Sequence, residues 1–108
     1  CSNDPVRYPD DDFEHMVQHA EKHGFPFKYL HDASQDVARG YQALCTPDIF
    51  VYNSERELAY RGRIDDNWKN ESAVTQHDLR DAILALLSGE SPAGTQHPSM
   101  GCSIKWKY

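Results

Sequence analysis

Apolar residues recur at helical spacing in three stretches. Phe13, Met16, Val17 and Ala20 follow the acidic run Asp10-Asp11-Asp12 and precede Gly24. Asp11 and Glu14 have capping-box spacing, acids suit a first helical turn, and glycine suits a stop, so the pattern predicts a helix over 11–23. Val37, Ala38, Tyr41 and Leu44 follow a second capping-box spacing, Asp32 with Gln35, and predict a helix over 33–44. Gly40 inside it costs up to ~1 kcal/mol relative to alanine. Leu79, Ile83, Leu86 and Leu87 form a third stripe, with Thr75 and Asp78 in capping positions and Ser88-Gly89 as the stop.

The remaining apolar positions read as strands. Residues 25–30 are short and aromatic-rich, and Pro26 makes them an edge strand or a bulged entry. Residues 48–53 and 58–63 flank the polar turn Asn53-Ser54-Glu55-Arg56 and predict a β-hairpin. Before the first helix, 1–9 read as a strand end followed by a turn at Asn3-Asp4-Pro5. Residues 64–73 read as a polar loop and 90–98 as a surface tail, and 100–108 turn apolar and basic again, as a tail that returns to dock. A helix between Leu30 and Ile49 implies a β-α-β crossover and a mixed sheet. Three or four strands are few for a covered sheet, which reads as missing its first members.

Length and charge narrow the classes. With 108 residues the chain fits one small domain. A net charge of −6 and a pI near 5.4 argue against nucleic acid as partner, and Lys105-Trp106-Lys107 is too little basic surface to reverse that. No apolar run approaches the ~20 residues that cross a bilayer, so no membrane partner is expected. The three cysteines, Cys1, Cys45 and Cys102, include no C-x-x-C pair and are unlike a disulfide scaffold or a cysteine-built zinc site.

Candidate chemistry centres on Cys45-Thr46-Pro47-Asp48, between the second helix and the first hairpin strand. A proline there ends the helix and fixes a bend, through a cis peptide in one reading, with a thiol two residues ahead. One reading makes this a thiol beside a loop that shapes a redox site. The plainer one makes Cys45 a small buried residue at a helix end, with no Lys or Arg beside it in sequence to stabilise a thiolate. His15, His19 and His23 recur every four residues, away from the apolar face of the first helix. Two could share a metal, but no third ligand is identifiable, so the stripe reads as a solvated face and no metal is expected. The adjacent acids Asp65-Asp66 and Asp10 to Asp12 read as solvated or capping groups.

With these residues the chain resembles the peroxiredoxin-like branch of the thioredoxin superfamily, the thioredoxin-family or AhpC/TSA-type domain proteins. The matching residues are Ser2-Asn3-Asp4-Pro5, Tyr8-Pro9-Asp10-Asp11 with Phe13-Glu14, Phe25 to Leu30, Asp32 with Gln35-Asp36-Val37-Ala38, Cys45-Thr46-Pro47-Asp48-Ile49-Phe50, Tyr60 to Asp66, Pro98-Ser99 and Gly101 to Lys107. The resemblance implies an α/β, thioredoxin-like fold, three-layered with a mixed β-sheet. Residues 1–108 would be the C-terminal part of one such domain, with 90–108 a docked tail. The N-terminal strands and the helix carrying the primary redox cysteine have no counterpart here, and Cys1 is not equated with that nucleophile. The implied function is a thiol-disulfide oxidoreductase or peroxiredoxin-like antioxidant, with little activity in this stretch alone. Thr46 and Pro47 would position substrate, and Cys45 and Cys102 would be resolving or accessory thiols. Its partners would be a thiol reductant and a disulfide or peroxide, with no cofactor. The alternative is a non-catalytic binding or assembly module whose exposed sheet edges favour a homodimer by strand addition or swapping.

Overall fold

The computed structural model describes residues 3–108, so the strand end expected at Cys1 and Ser2 lies outside the described residues. The chain is small and mixed α/β. Three helices, α1 (Phe13–His23), α2 (Asp36–Gly40) and α3 (Asp78–Leu87), accompany strands β1 (Cys45–Thr46), β2 (Ile49–Tyr52), β3 (Leu58–Gly62) and β4 (Cys102–Ser103). The strands form two antiparallel pairs, β1 with β4 and β2 with β3. Contacts divide the chain into two compact units, one running to Leu44 and including Ile104–Tyr108, the other Cys45–Ser103.

In the first unit α1 starts later than its sequence pattern predicts. Pro9–Asp11 form a 3-10 turn, so Asp12 rather than Asp11 is the N-cap and accepts the His15 amide proton at 2.9 Å. Gly24 closes the helix in the left-handed region at φ 58°, returning its N–H to the Ala20 and Glu21 carbonyls. Met16 is the buried residue of the stripe. No strand forms over 25–30. Phe25 instead stacks on Phe27 at 4.8 Å and meets the edge of Tyr29 at 5.1 Å. The β-α-β crossover and mixed sheet are therefore absent among the described residues, where every strand pair is antiparallel.

The second predicted helix shrinks to five residues. Asp32 caps it, its carboxylate accepting from the Val37 and Ala38 amides. Gln35 does not complete the capping box. It takes a left-handed conformation at φ 67°, and its fully buried amide donates to the Lys105 carbonyl at 3.0 Å and accepts from the Lys107 N–H at 2.9 Å. The Asp4 N–H also donates to the Lys105 carbonyl, and the Asn3 side chain accepts from the Lys105 N–H. Ile104 is buried beside this ladder, and the Arg39 guanidinium lies 4.3 Å from the centre of the Trp106 ring. The stretch after Ser103 thus docks on its unit through backbone pairing with side chains.

In the second unit the hairpin forms as predicted, with Ile49 opposite Gly62 and Val51 opposite Tyr60. Asn53 closes its turn by accepting from the Glu55 and Glu57 amides, and Arg56 takes the left-handed position at φ 63°. Tyr60 is buried, and β3 packs against α3. The α3 stripe is displaced from the predicted one: Ala82 is buried and Leu79 and Leu86 are half-buried, whereas Ile83 and Leu87 are exposed. Thr75 does not cap α3. Its hydroxyl and amide both bond the Asp66 carboxylate, leaving His77 at the N-cap without a side-chain bond.

Candidate functional site

The second unit brings Cys45-Thr46-Pro47-Asp48 against the segment 99–103. Antiparallel pairing sets Cys45 opposite Ser103 and Thr46 opposite Cys102. The Thr46 hydroxyl donates to the Cys102 carbonyl at 3.3 Å. The Thr46–Pro47 peptide bond is cis, the form the sequence raised for this bend. Gly101 makes the approach possible: a Cβ there would sit 2.8 Å from the Thr46 carbonyl carbon and 3.2 Å from Pro47 Cδ.

Asp48 and Ser99 anchor this arrangement to the hairpin. The Asp48 side chain is 5% exposed and pairs with Arg61 Nη2 at 3.2 Å. Ser99 Oγ lies 3.0 Å from Asp48 Oδ1 and 2.7 Å from the Gly62 carbonyl, sharing its one proton between two acceptors, and it accepts from the Ile49 N–H. Arg61 also lies over the Phe50 ring at 4.7 Å. The strand after the bend and the strand that returns at Gly62 are therefore tied to one hydroxyl.

Beside these groups opens a cleft of about 400 Å³, lined chiefly by Thr46, Pro47, Ile49, Trp68, Met100 and Cys102. Its lining is mostly apolar, with Asp65 and Glu71 among its polar members. That combination suits an extended or flat apolar group that leaves a polar end in water.

The two thiols differ. Cys45 is half-buried, and its thiol donates to the Pro47 carbonyl at 3.3 Å. Burial first, and the nearby Asp48 carboxylate second, push its pKa up, so it stays protonated and weakly nucleophilic. Cys102 is exposed and borders the cleft. Residues directly opposite share a face of a ladder and neighbours along a strand alternate. Cys102 therefore shares the face of Thr46, and Cys45 projects from the other. The geometry brings Cys45, Thr46 and Cys102 onto one β-ladder, with Pro47 directly after it, yet directs the two thiols apart.

The other candidates have local duties. Asp11 accepts from the Asn3 amide group, Asp12 caps α1, Asp65 accepts from the Asn67 N–H, and Asp66 holds Thr75. Thr75 and the Gln76 amide pull the Asp66 carboxyl down to about 2. His15 is held by Asp12 at 2.6 Å, which raises its pKa. Among the described residues no group of three metal-ligating side chains occurs. Sequence reasoning missed Trp68, Met100 and Ser99. Trp68 carried a signal, a large aromatic stranded in an otherwise polar loop; Ser99 carried none beyond its place in the resemblance.

The chain is similar to solved structures, among them these two. One is a hypothetical protein from Sinorhizobium meliloti 1021, 46% identical, with a TM-score of 0.91 over 98% of this chain and 58% of that one. The other is an uncharacterized conserved protein from Geobacillus kaustophilus, also 46% identical, with a TM-score of 0.90 over 98% of this chain and 57% of that one. The chain thus spans less than two thirds of the length of either. No family model and no curated protein matches it.

Proposed function

We propose that the chain is part of a longer thioredoxin-like protein of the peroxiredoxin-like branch, a thiol-disulfide oxidoreductase or thiol peroxidase. The observation that carries this reading is the convergence of two stretches of the resemblance, the Thr46–Pro47 bend and the segment Ser99 to Cys102, on one apolar cleft. In this reading Thr46 and Pro47 form the wall against which substrate lies. A thiolate from the longer protein attacks one sulfur of a substrate disulfide, forming a mixed disulfide and releasing the other sulfur as thiolate; with a peroxide it becomes a sulfenic acid and releases an alcohol or water. A second thiol then attacks that sulfur, closing a disulfide and expelling the substrate thiol or water. External thiol reduces the disulfide. Cys102 has the exposure for the second step; Cys45, protonated and turned to the other face, has an accessory place.

The test compares this chain with the whole protein that contains it, in peroxide consumption and in reduction of a small disulfide by a dithiol. Turnover by the longer protein and almost none by this chain is the expected result. Equal turnover by the two, or none by the longer protein, overturns the proposal.

A second reading rests on the open edges. Each sheet has two strands, so no third strand pairs with β2 or β3 among the described residues, and the Ala59 carbonyl and Arg61 N–H of β3 are held by a side chain, the Gln96 amide, rather than by a strand. Strand addition between copies would use such edges. Light scattering over a concentration series decides it, with a strict monomer counting against assembly.

A further inference from the structure

The imidazoles of His19 and His23 stand one helical turn apart on α1, with ring centres 4.4 Å apart and planes inclined by 59°. Unlike His15, neither ring makes a hydrogen bond or ion pair among the described residues, so both keep a nitrogen lone pair for another use. Phe25 backs the pair, edge-on to His19 at 5.4 Å and stacked on His23 at 6.1 Å.

For one nitrogen of each ring bound to a shared metal, the separation of the ring centres sets the angle at that metal. With a metal–nitrogen bond of about 2.0–2.1 Å, a metal in the ring plane lies roughly 3.2 Å from each ring centre. Two centres 4.4 Å apart then subtend about 90° at the metal. A tetrahedral angle would need ring centres about 5.2 Å apart. Adjacent positions at a right angle belong to tetragonal and octahedral ions, and imidazole donors with water as co-ligand suit Cu(II) and Ni(II).

We propose that His19 and His23 form a two-point binding site for a divalent transition metal of tetragonal or octahedral preference, Cu²⁺ or Ni²⁺, with water in the remaining positions. Spacing alone leaves the histidine stripe a solvated face; the close, unengaged and aromatic-backed ring pair goes further. Because Asp12 occupies His15, the site has two protein ligands rather than three. Affinity follows the order Cu²⁺ above Ni²⁺ above Zn²⁺, with Zn²⁺ further handicapped by the angle.

The probe is Ni²⁺, which is paramagnetic and does not oxidise thiols. It is titrated into the full chain while the imidazole C–H NMR signals of all six histidines are followed. The expected result is selective broadening of the His19 and His23 signals at substoichiometric metal. His19→Ala and His23→Ala should each raise the half-saturating concentration at least tenfold, and His15→Ala should leave it within twofold. These positions are exposed on the helix, and circular dichroism checks that each variant folds. Simultaneous broadening of all six histidines, binding that survives His19→Ala unchanged, or equal loss on His15→Ala overturns the proposal.

Discussion

Gly101→Ala tests whether the close approach of the 99–103 segment to the Thr46–Pro47 bend holds the second unit together. Gly101 has no left-handed φ to satisfy, so the cost of a methyl group there is one of space alone. The added carbon would lie 2.8 Å from the Thr46 carbonyl carbon, against an optimal carbon–carbon separation of about 3.5–4.0 Å, so β4 must retreat by at least about 0.7 Å. That retreat stretches the Thr46-to-Cys102 bond beyond its present 3.3 Å and disturbs the ladder it belongs to. Overpacking of this kind costs about 1–3 kcal/mol. At this chain length each kcal/mol lowers the melting temperature by about 4–8 °C. Urea unfolding followed by fluorescence is the assay, in a Trp106→Phe background so that Trp68, beside the cleft, reports alone. Gly40→Ala is the control, read in its own unit by Trp106 in a Trp68→Phe background: a Cβ at that helical position meets nothing within 4 Å, and the substitution should stabilise by about 0.4–1 kcal/mol. If Gly101→Ala unfolds at the same urea concentration as the parent while Gly40→Ala shifts as expected, the close approach is not a structural constraint and the reasoning fails.

Further outcomes follow from the same geometry. Iodoacetamide at pH 8 should alkylate Cys102 before Cys45, whose thiol is half-buried and raised in pKa, as mass spectrometry of a time course will show; the reverse order counts against the site description. Mild oxidation should give no Cys45–Cys102 disulfide, because the ladder directs the two side chains to opposite faces, and a crosslinked peptide would contradict that register. Tyr60→Phe removes the hydroxyl that donates to the Arg63 carbonyl and should cost about 0.5–1.5 kcal/mol in urea unfolding. The Asp66 carboxyl is depressed to about 2 from a usual 3.8, so its contribution is fully present above about pH 4 and is lost as pH falls through 2; Asp66→Asn should flatten that part of the acid stability profile, and an unchanged acid slope would show that the Thr75 contact does not couple to folding.

Local signals were legible where the residues that make an element also complete it. The hairpin has its turn residues, its pairing partner and its alternation within one short stretch, and α1 has its cap and stop within its own length. Elements failed to follow their pattern where a distant group intervened. Residues 25–30 have strand composition, but a strand exists through its hydrogen-bonding partner, and none of the described residues supplies one. Gln35 sits at capping-box spacing, yet its amide is committed to Lys105 and Lys107, seventy residues and more away, and α2 shortens accordingly. Thr75 is captured by Asp66 rather than by α3. The site shows the same division. Thr46 and Pro47 stood out by residue type, whereas two-residue strands such as β1 and β4 have no periodicity to read, and the pairing of Cys102 with Thr46 across 56 positions is visible only in three dimensions.

The ladder joining Asn3, Asp4 and Gln35 to Ile104–Tyr108 has a consequence for the order of events in synthesis. The first unit is discontinuous: its own sequence is interrupted after Leu44 by all of Cys45–Ser103 and resumes only for the last five residues. A ribosome delivers the chain from its amino end, so the buried Gln35 amide waits without its partners until those residues emerge. The second unit is complete in sequence before then and can fold first; the first bears the loop-closure entropy of joining positions about a hundred residues apart. Deleting the last five residues would therefore unmake the amino-terminal unit, far away in sequence, and spare the β-ladder nearby.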